Sequence, residues 1–111
     1  MKSDKAYLQH ILEMISRVEA ATSGGKPTFL SSVLHQDAVL RNLHTLTETT
    51  QRLSAELKEA HSEVEWATLS AFRNVIVHDY LGIDIEVVWS VVSQDLPTLK
   101  TKIEKILADL D

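Results

Sequence analysis

Apolar residues recur every three or four positions through four long segments of this chain, and that spacing restricts the fold to packed helices. The first segment predicts a helix over residues 4–22, with Ser3 and Asp4 as candidate N-caps. The second predicts a helix over residues 36–53, after which Ser54 caps a short turn. We expect one face of each helix to be buried, namely Leu8, Ile11, Leu12, Ile15 and Val18 in the first and Val39, Leu43, Leu46, Thr50 and Leu53 in the second.

Helix breakers lie at few places in the sequence. The run from Ser23 to Pro27 holds two glycines and predicts a flexible linker, because it lacks the spacing of a phosphate-binding loop. A third helix is predicted over residues 65–80, and Gly82 is placed to end it.

The C-terminal segment allows two interpretations. Asp84 is the candidate N-cap of a fourth helix, but the valines that follow also suit a strand. The apolar pattern continues to Leu110, far beyond the length of a strand, so helix is favoured. Pro97 interrupts the pattern, and Asp95 as a cap before it favours a fifth helix over residues 96–110.

These helices and short loops predict an all-α fold, an antiparallel bundle of four to five helices. With 111 residues, the chain is expected to form a single domain over 1–111, because domains typically run about 100–200 residues. No internal repeat or low-complexity tract argues for another architecture.

Composition excludes several classes of protein. The chain has no cysteine, which rules out disulfides, thiolate zinc sites and iron–sulfur clusters. No run of about 18 apolar residues could span a bilayer, and no apolar run near the start resembles a signal peptide. The net charge of −5 provides no general attraction for nucleic acid. We therefore expect a cytoplasmic protein that does not enter the membrane and that binds nucleic acid, if at all, through a local site.

Polar groups that could carry chemistry are concentrated at the end of the predicted third helix. Arg73 offers a permanently charged fork for phosphate oxygens, and His78 can exchange a proton near neutral pH. At about 100° per residue, Tyr80 returns to within about 20° of Arg73, whereas His78 lies about 140° away. Either the last turn departs from α-helical geometry, or a second subunit completes the site.

An arginine and two histidines are enough to cleave an RNA phosphodiester without a metal ion. One group deprotonates the 2′-hydroxyl, another protonates the leaving oxygen, and a cation stabilises the phosphorane-like charge. Two symmetry-related copies of His78 would supply both proton roles. The alternative is that these residues are purely structural: Arg73 in a surface ion pair, His78 as a cap for terminal carbonyls, and Tyr80 as an aromatic residue at the edge of the core. The Arg–His spacing alone does not exclude it.

Other polar and aromatic residues give weaker signals. The remaining histidines lack the spacing of metal ligands, so we predict no metal site and no cofactor: His10, His35, His44 and His61. Four aromatic residues suit core or dimer packing better than stacking on bases: Tyr7, Trp66, Phe72 and Trp89. Three lysines are expected on a solvated face of the last helix: Lys100, Lys102 and Lys105.

The pattern Arg73-Asn74-x3-His78-x-Tyr80 resembles the R-x4-6-H signature of HEPN-domain proteins, in the form found in HepT-like toxins of HepT/MntA toxin–antitoxin pairs. Further segments resemble the same family in the same order, from near residue 4 to the C-terminus: Gln36-Asp37-Ala38-Val39, Arg41-Asn42-Leu43, Arg52-Leu53-Ser54, Trp66, Gly82-Ile83-Asp84, Val88-Trp89 and Asp95-Leu96-Pro97. One segment departs from it, since Leu46-Thr47-Glu48-Thr49-Thr50 stands where we expect a small Gly–Glu–Ala-like run.

The resemblance implies a HEPN-like bundle that forms a homodimer or higher oligomer, with a metal-independent endoribonuclease site where the motif helices face each other. It implies that Arg73 and His78 are catalytic and that Asn74 helps orient them. Tyr80 matches the tyrosine that receives AMP from the partner, an MntA-like nucleotidyltransferase antitoxin. Charge and bulk added beside Arg73 would block the site that the RNA phosphate needs.

The charge pattern keeps a second function open. Residues 74–99 contain no lysine or arginine but four acidic residues, so RNA would have to be held by Arg73 from two subunits, with Arg41 or Lys102. The alternative is a non-catalytic helical adaptor, or substrate-binding partner, of a minimal nucleotidyltransferase. Fold alone does not separate these two functions.

Overall fold

The computed structural model describes residues 3–70, 72 and 82–110. None of these residues lies in a strand, so the prediction of an all-α bundle is confirmed. Residues 66–70 and 72 are helical, and Val91–Asp95 forms a π-helical turn between two α-helices. The labelled helices are α1 (Asp4–Ala21), α2 (Lys26–Ser31), α3 (Val33–Gln51), α4 (Ala55–Ala60), α5 (Ile85–Ser90) and α6 (Leu96–Leu110).

The largest contact between helices joins α1 and α3, which run antiparallel. Near one end of the pair, the Asp4 carboxylate accepts hydrogen bonds from Ser54 N at 2.9 Å and Ser54 Oγ at 2.6 Å. Further along, His10 Nδ1 lies 3.0 Å from Thr49 Oγ1. Ser54 also caps α4 as predicted, because its Oγ accepts from Leu57 N at 3.1 Å.

The core is built from the apolar stripes that the sequence predicts. Every residue of the two predicted stripes is buried except Leu12, which is half-buried. The last helix adds Ile103 and Ile106, both fully buried. Lys100 Nζ pairs with Glu19 at 3.2 Å, which sets the start of α6 beside the end of α1.

The threonine run in α3 faces this core without leaving a polar group unsatisfied. Thr47, Thr49 and Thr50 are buried. Their hydroxyls donate to backbone carbonyls one turn earlier, those of His44 at 2.9 Å, Thr45 at 2.8 Å and Thr47 at 2.7 Å. This local bonding allows threonine where the resemblance led us to expect smaller residues.

The predicted linker is in fact shorter, because α2 begins directly after Gly25. Gly25 has a φ of +89°, which favours glycine, and Pro27 occupies the first turn of α2, where a proline removes no helical hydrogen bond. Phe29 anchors the helix: it is buried, and its ring centroid lies 5.5 Å from that of Trp89. The linker prediction is therefore wrong beyond Gly25.

The C-terminal helix passes Pro97 without a break. Leu96 N donates to the carbonyl of Val91, five residues earlier, and Leu96 keeps helical dihedrals. The prediction that Asp95 caps a new helix is wrong, because a wider turn accommodates the proline ring, which clashes with regular α-helical geometry. Asp84 does cap α5, accepting from Glu86 N at 2.9 Å, and the strand alternative is wrong for this segment.

Candidate active site

The predicted site residues Arg73, Asn74, His78 and Tyr80 all lie outside the described residues. The structure does describe the chain on both sides of them. Phe72, directly before Arg73, is helical, half-buried and packed against the core. The chain leaves the motif at Gly82, and the next residue, Ile83, also packs against the core. The chain therefore enters and leaves the motif at positions fixed by core packing.

Two hydrogen bonds orient the helical residues that lead into the motif. Gln51 Nε2, at the end of α3, donates to Ser70 Oγ at 3.0 Å. Trp66 Nε1 donates to the carbonyl of His61 at 3.1 Å, which leaves the apolar part of the indole against the core. These contacts set the rotation of residues 66–70 relative to α3.

A groove of about 270 Å³, which we call the Phe72 groove, adjoins the motif. One wall comes from residues 64–72 and the other from residues 91–102. Its apolar lining is Val64, Leu69, Phe72, Val91 and Leu99, and its polar lining is Glu65, Thr68, Asp95, Thr98 and Lys102. Phe72, the described residue directly before Arg73 in the chain, lines this groove.

The charges around the Phe72 groove do not favour a polyanion. Glu65 and Asp95 contribute two carboxylates against the single ammonium of Lys102. Lys102 is half-buried, and its Nζ donates to the carbonyl of Glu63 at 2.7 Å, so it departs from the predicted solvated face. RNA attraction at this end of the bundle therefore depends on cations elsewhere.

Among the described residues, Glu63 is the one whose pKa the local structure clearly shifts. Its pKa lies below the ordinary value because the carboxylate accepts a hydrogen bond from its own backbone N–H. His61 adds to the effect, since its Nδ1 lies 3.2 Å from Glu63 Oε1, and the positive charge of Lys105 adds further. Both effects favour the ionised carboxylate.

Within 3–70, 72 and 82–110, no group of three His, Asp or Glu side chains is arranged to hold a metal ion. No helix in the described part of the chain is long and apolar enough to cross a membrane.

The sequence predicts the packing of the aromatic residues but not the residues that line the Phe72 groove. The predicted packing is confirmed, since all four rings, Tyr7, Trp66, Phe72 and Trp89, pack against the core. Asp95 and Thr98 line the Phe72 groove, whereas the sequence suggested only a capping role for Asp95. No local signal could have revealed this, because the groove forms only when the π-helical turn packs beside residues 64–72.

Several known proteins are similar to this chain over most of its length. The model of the family described as "Ribonuclease HepT-like" matches residues 11–106. A Thermococcus cleftensis protein named "Probable ribonuclease HepT" is 34% identical over 106 residues, which cover 95% of this chain and 96% of that protein. A Caldanaerobacter subterraneus subsp. tengcongensis protein, named as a candidate RNase, is 28% identical over 111 residues and covers 96% of each chain.

One relative is much longer than this chain. A Methanocaldococcus jannaschii protein, named as a gamma-glutamylcyclotransferase and candidate RNase, is 35% identical over 111 residues. The alignment covers 99% of this chain but 50% of that protein. No solved structure matches at a significant level. The family match spans most of the chain and includes the whole Arg73–Tyr80 motif, so this chain belongs to the HepT-like family of ribonucleases.

Proposed function

We propose that this endoribonuclease cleaves RNA without a metal ion, at a cleft between two copies of the chain, and acts in the cytoplasm as the toxin of a toxin–antitoxin pair. The observation that carries the proposal is the family match over residues 11–106, within which Arg73, Asn74, His78 and Tyr80 are all present. We further propose that residues 1–111 form one domain.

The reaction follows from the chemistry of these side chains. One His78 removes the proton of a ribose 2′-hydroxyl, and the resulting oxygen attacks the adjacent phosphorus. The bond to the 5′-oxygen breaks, and a second, protonated His78 donates a proton to that oxygen. The products are a 2′,3′-cyclic phosphate and a 5′-hydroxyl. Arg73 stabilises the charge on the phosphorane, and Asn74 helps hold Arg73 and His78 in place.

A dimer supplies the second histidine. On a regular helix His78 lies about 140° from Arg73, so a single copy does not bring both groups to one phosphate without distortion. Two copies related by a twofold axis would present Arg73 and His78 of both copies to a shared cleft.

Cleavage of RNA in excess chelator tests the catalytic assignment. Arg73→Ala and His78→Ala should each lose activity, whereas His44→Ala, which changes an exposed histidine on α3, should retain it. Mixing the two inactive variants should not restore activity, because a mixed dimer holds a single His78 and the reaction needs one from each copy. Full activity of His78→Ala would refute the assignment, and no cleavage by the unchanged chain would favour the adaptor alternative.

Regulation by AMP transfer is the second part of the proposal. The Tyr80 oxygen would attack the α-phosphorus of ATP bound to an MntA-like nucleotidyltransferase, with pyrophosphate as the leaving group. The added nucleotide would place a phosphate beside Arg73 and exclude the RNA phosphate.

Co-expression with the nucleotidyltransferase of a neighbouring gene tests this regulation. Growth should stop when the chain is expressed alone and resume when both are present, and intact mass should then increase by AMP units. Tyr80→Phe should abolish the increase. Tyr7→Phe is the matched control, since Tyr7 and Tyr80 are the two tyrosines of the chain. If the mass of the Tyr80→Phe variant still increases by AMP units, the modified residue is not Tyr80.

A further inference from the structure

A second groove lies between α1 and the end of α3, and neither the motif nor the family match assigns it a role. It has a volume of about 720 Å³, within the range of about 300–1,000 Å³ that small ligands occupy. Tyr7, His10 and Glu13 line it from α1, and Thr49 and Arg52 from α3 and its C-cap. We call it the α1–α3 groove.

The hydrogen bonds of Thr49 determine which nitrogen of His10 carries the proton. The Thr49 hydroxyl has one hydrogen, and it donates that hydrogen to the Thr45 carbonyl at 2.8 Å. Thr49 Oγ1 must therefore accept from His10 Nδ1, 3.0 Å away. In the neutral ring Nε2 then keeps its lone pair. No hydrogen bond from the described residues reaches Nε2, so it is available as an acceptor.

Arg52 gives the same groove an uncompensated positive charge. The side chain is exposed, and no ion pair or side-chain hydrogen bond joins it to another described residue. Glu13, the acidic residue among those that line the groove, pairs with Arg17 at 2.8 Å. A guanidinium in this state is suited to bind phosphate oxygens.

A hydrogen bond joins the end of α3, beside the α1–α3 groove, to the residues that precede the motif in the chain. Gln51, the neighbour of Arg52, donates to Ser70 Oγ at 3.0 Å. Ser70 precedes Arg73 by three residues, which is one turn on the predicted third helix. A bound RNA strand could therefore contact both places.

We propose that the α1–α3 groove is a ribonucleotide subsite for substrate RNA, in which Arg52 binds a phosphate and His10 Nε2 accepts a hydrogen bond from a ribose 2′-hydroxyl. The 2′-hydroxyl is the group that distinguishes RNA from DNA, so this contact selects RNA. Tyr7 packs against the core but is only half-buried, and it also lines the groove, where the accessible part of its ring can contact the attached base. The subsite extends the proposed ribonuclease function and rests on it.

Binding of single-stranded oligonucleotides to the His78→Ala chain, measured by fluorescence anisotropy, tests the subsite. Matched ribo- and 2′-deoxyribo-oligonucleotides are the probes, each titrated at several salt concentrations. Arg52→Gln should weaken binding of both probes by about tenfold, as expected for a hydrogen bond to a charged group. It should also reduce the slope of log K against log salt by about 0.7, the value for one phosphate contact on a single strand.

The histidine contact is tested by the preference for ribo- over deoxyribo-oligonucleotides. His10→Asn can keep the hydrogen bond to Thr49 but lacks an atom at Nε2, so the preference should disappear. Thr49→Val removes the partner that fixes the proton on Nδ1 and should reduce the preference while leaving deoxyribo-oligonucleotide binding unchanged.

Lys105→Gln, which removes the same charge from α6, is the control for Arg52→Gln. The proposal is overturned if these two variants bind alike, or if the His78→Ala chain binds both probes equally. Because the readout is binding, its failure is separable from failure of the catalytic assignment. If the His78→Ala chain still cleaves RNA while Arg52→Gln weakens oligonucleotide binding as expected, the catalytic role of His78 is refuted. The proposed subsite would then still stand.

Discussion

Gln51 and Ser70 are joined by a hydrogen bond of 3.0 Å between Nε2 and Oγ, which connects the end of α3 to the helical residues before Arg73. Both partners are side chains, and they are 19 positions apart in sequence. This contact is therefore a lateral connection between one of the two long core helices and the predicted catalytic segment.

Gln51→Ala should reduce RNA cleavage more than it reduces stability. The bond is solvent-exposed, so its loss should lower the free energy of unfolding by no more than about 1 kcal/mol. We expect a several-fold decrease in cleavage rate because residues 66–70 lose a contact that sets their rotation. Gln94→Ala, at an exposed glutamine of the π-helical turn, is the control. Equal cleavage by both variants would show that the bond does not position the motif.

Ser54→Ala should destabilise the fold by about 1 kcal/mol, because an N-cap serine is typically worth 0.5–2 kcal/mol. The change removes the bond from Leu57 N and the hydroxyl bond to the Asp4 carboxylate. Urea denaturation followed by circular dichroism measures the loss. Ser62→Ala, at an exposed serine outside the helices, should have almost no effect; a similar loss there would argue against the cap.

Phe29→Ala should lower the free energy of unfolding by about 3–5 kcal/mol, the usual cost of deleting a buried phenylalanine side chain. The same change should shift the fluorescence of Trp89, whose ring lies beside Phe29. Leu34→Ala removes an apolar side chain that is 78% exposed and should change stability by no more than about 0.5 kcal/mol. A small effect of Phe29→Ala would mean that α2 is not anchored through this ring.

Glu63→Gln should flatten the pH dependence of stability in the acid range. The pKa of Glu63 is lower in the folded chain than in the unfolded one, so ionised Glu63 stabilises the fold above its unfolded pKa. That contribution is lost as the pH falls through the folded pKa. The unchanged chain should melt at a higher temperature than Glu63→Gln near pH 6, and the two melting temperatures should converge as the pH falls through the folded pKa of Glu63. Glu59→Gln, at an exposed glutamate of α4, is the control, and a difference that does not shrink as the pH is lowered would contradict the assignment.

The structure agrees with the sequence where local rules decide the outcome. The helical stripes of α1 and α3 and the caps at Ser54 and Asp84 depend on residues close together in the chain, and the structure confirms them. The extent of α2 depends on Phe29 meeting Trp89, 60 positions away, so no local pattern could reveal it. The continuous helix through Pro97 also depends on packing between distant segments, so the sequence did not predict it.

In the candidate site, too, local sequence predicts some features and distant packing determines the others. Arg73 and His78 were identified by their chemistry and by resemblance, and their placement stays a prediction. The Phe72 groove and the Gln51–Ser70 contact arise from the packing of distant segments, which helical spacing does not encode. His10 was considered only as a metal ligand, because its proton assignment follows from a contact with Thr49 across two helices.

The π-helical turn at Val91–Asp95 makes this stretch of chain more tolerant of a deletion than the helices beside it. A π-helical turn holds one residue more than an α-helical turn, so deleting one residue there would restore regular α-helical geometry and keep α6 in register with α5. The ring of Pro97 would then meet the carbonyl one turn earlier, and the helix would kink at that point. A deletion inside α6 would instead rotate all following residues by about 100° and turn their buried side chains towards water. Single-residue deletions should therefore cost less stability at 91–95 than in the middle of α6.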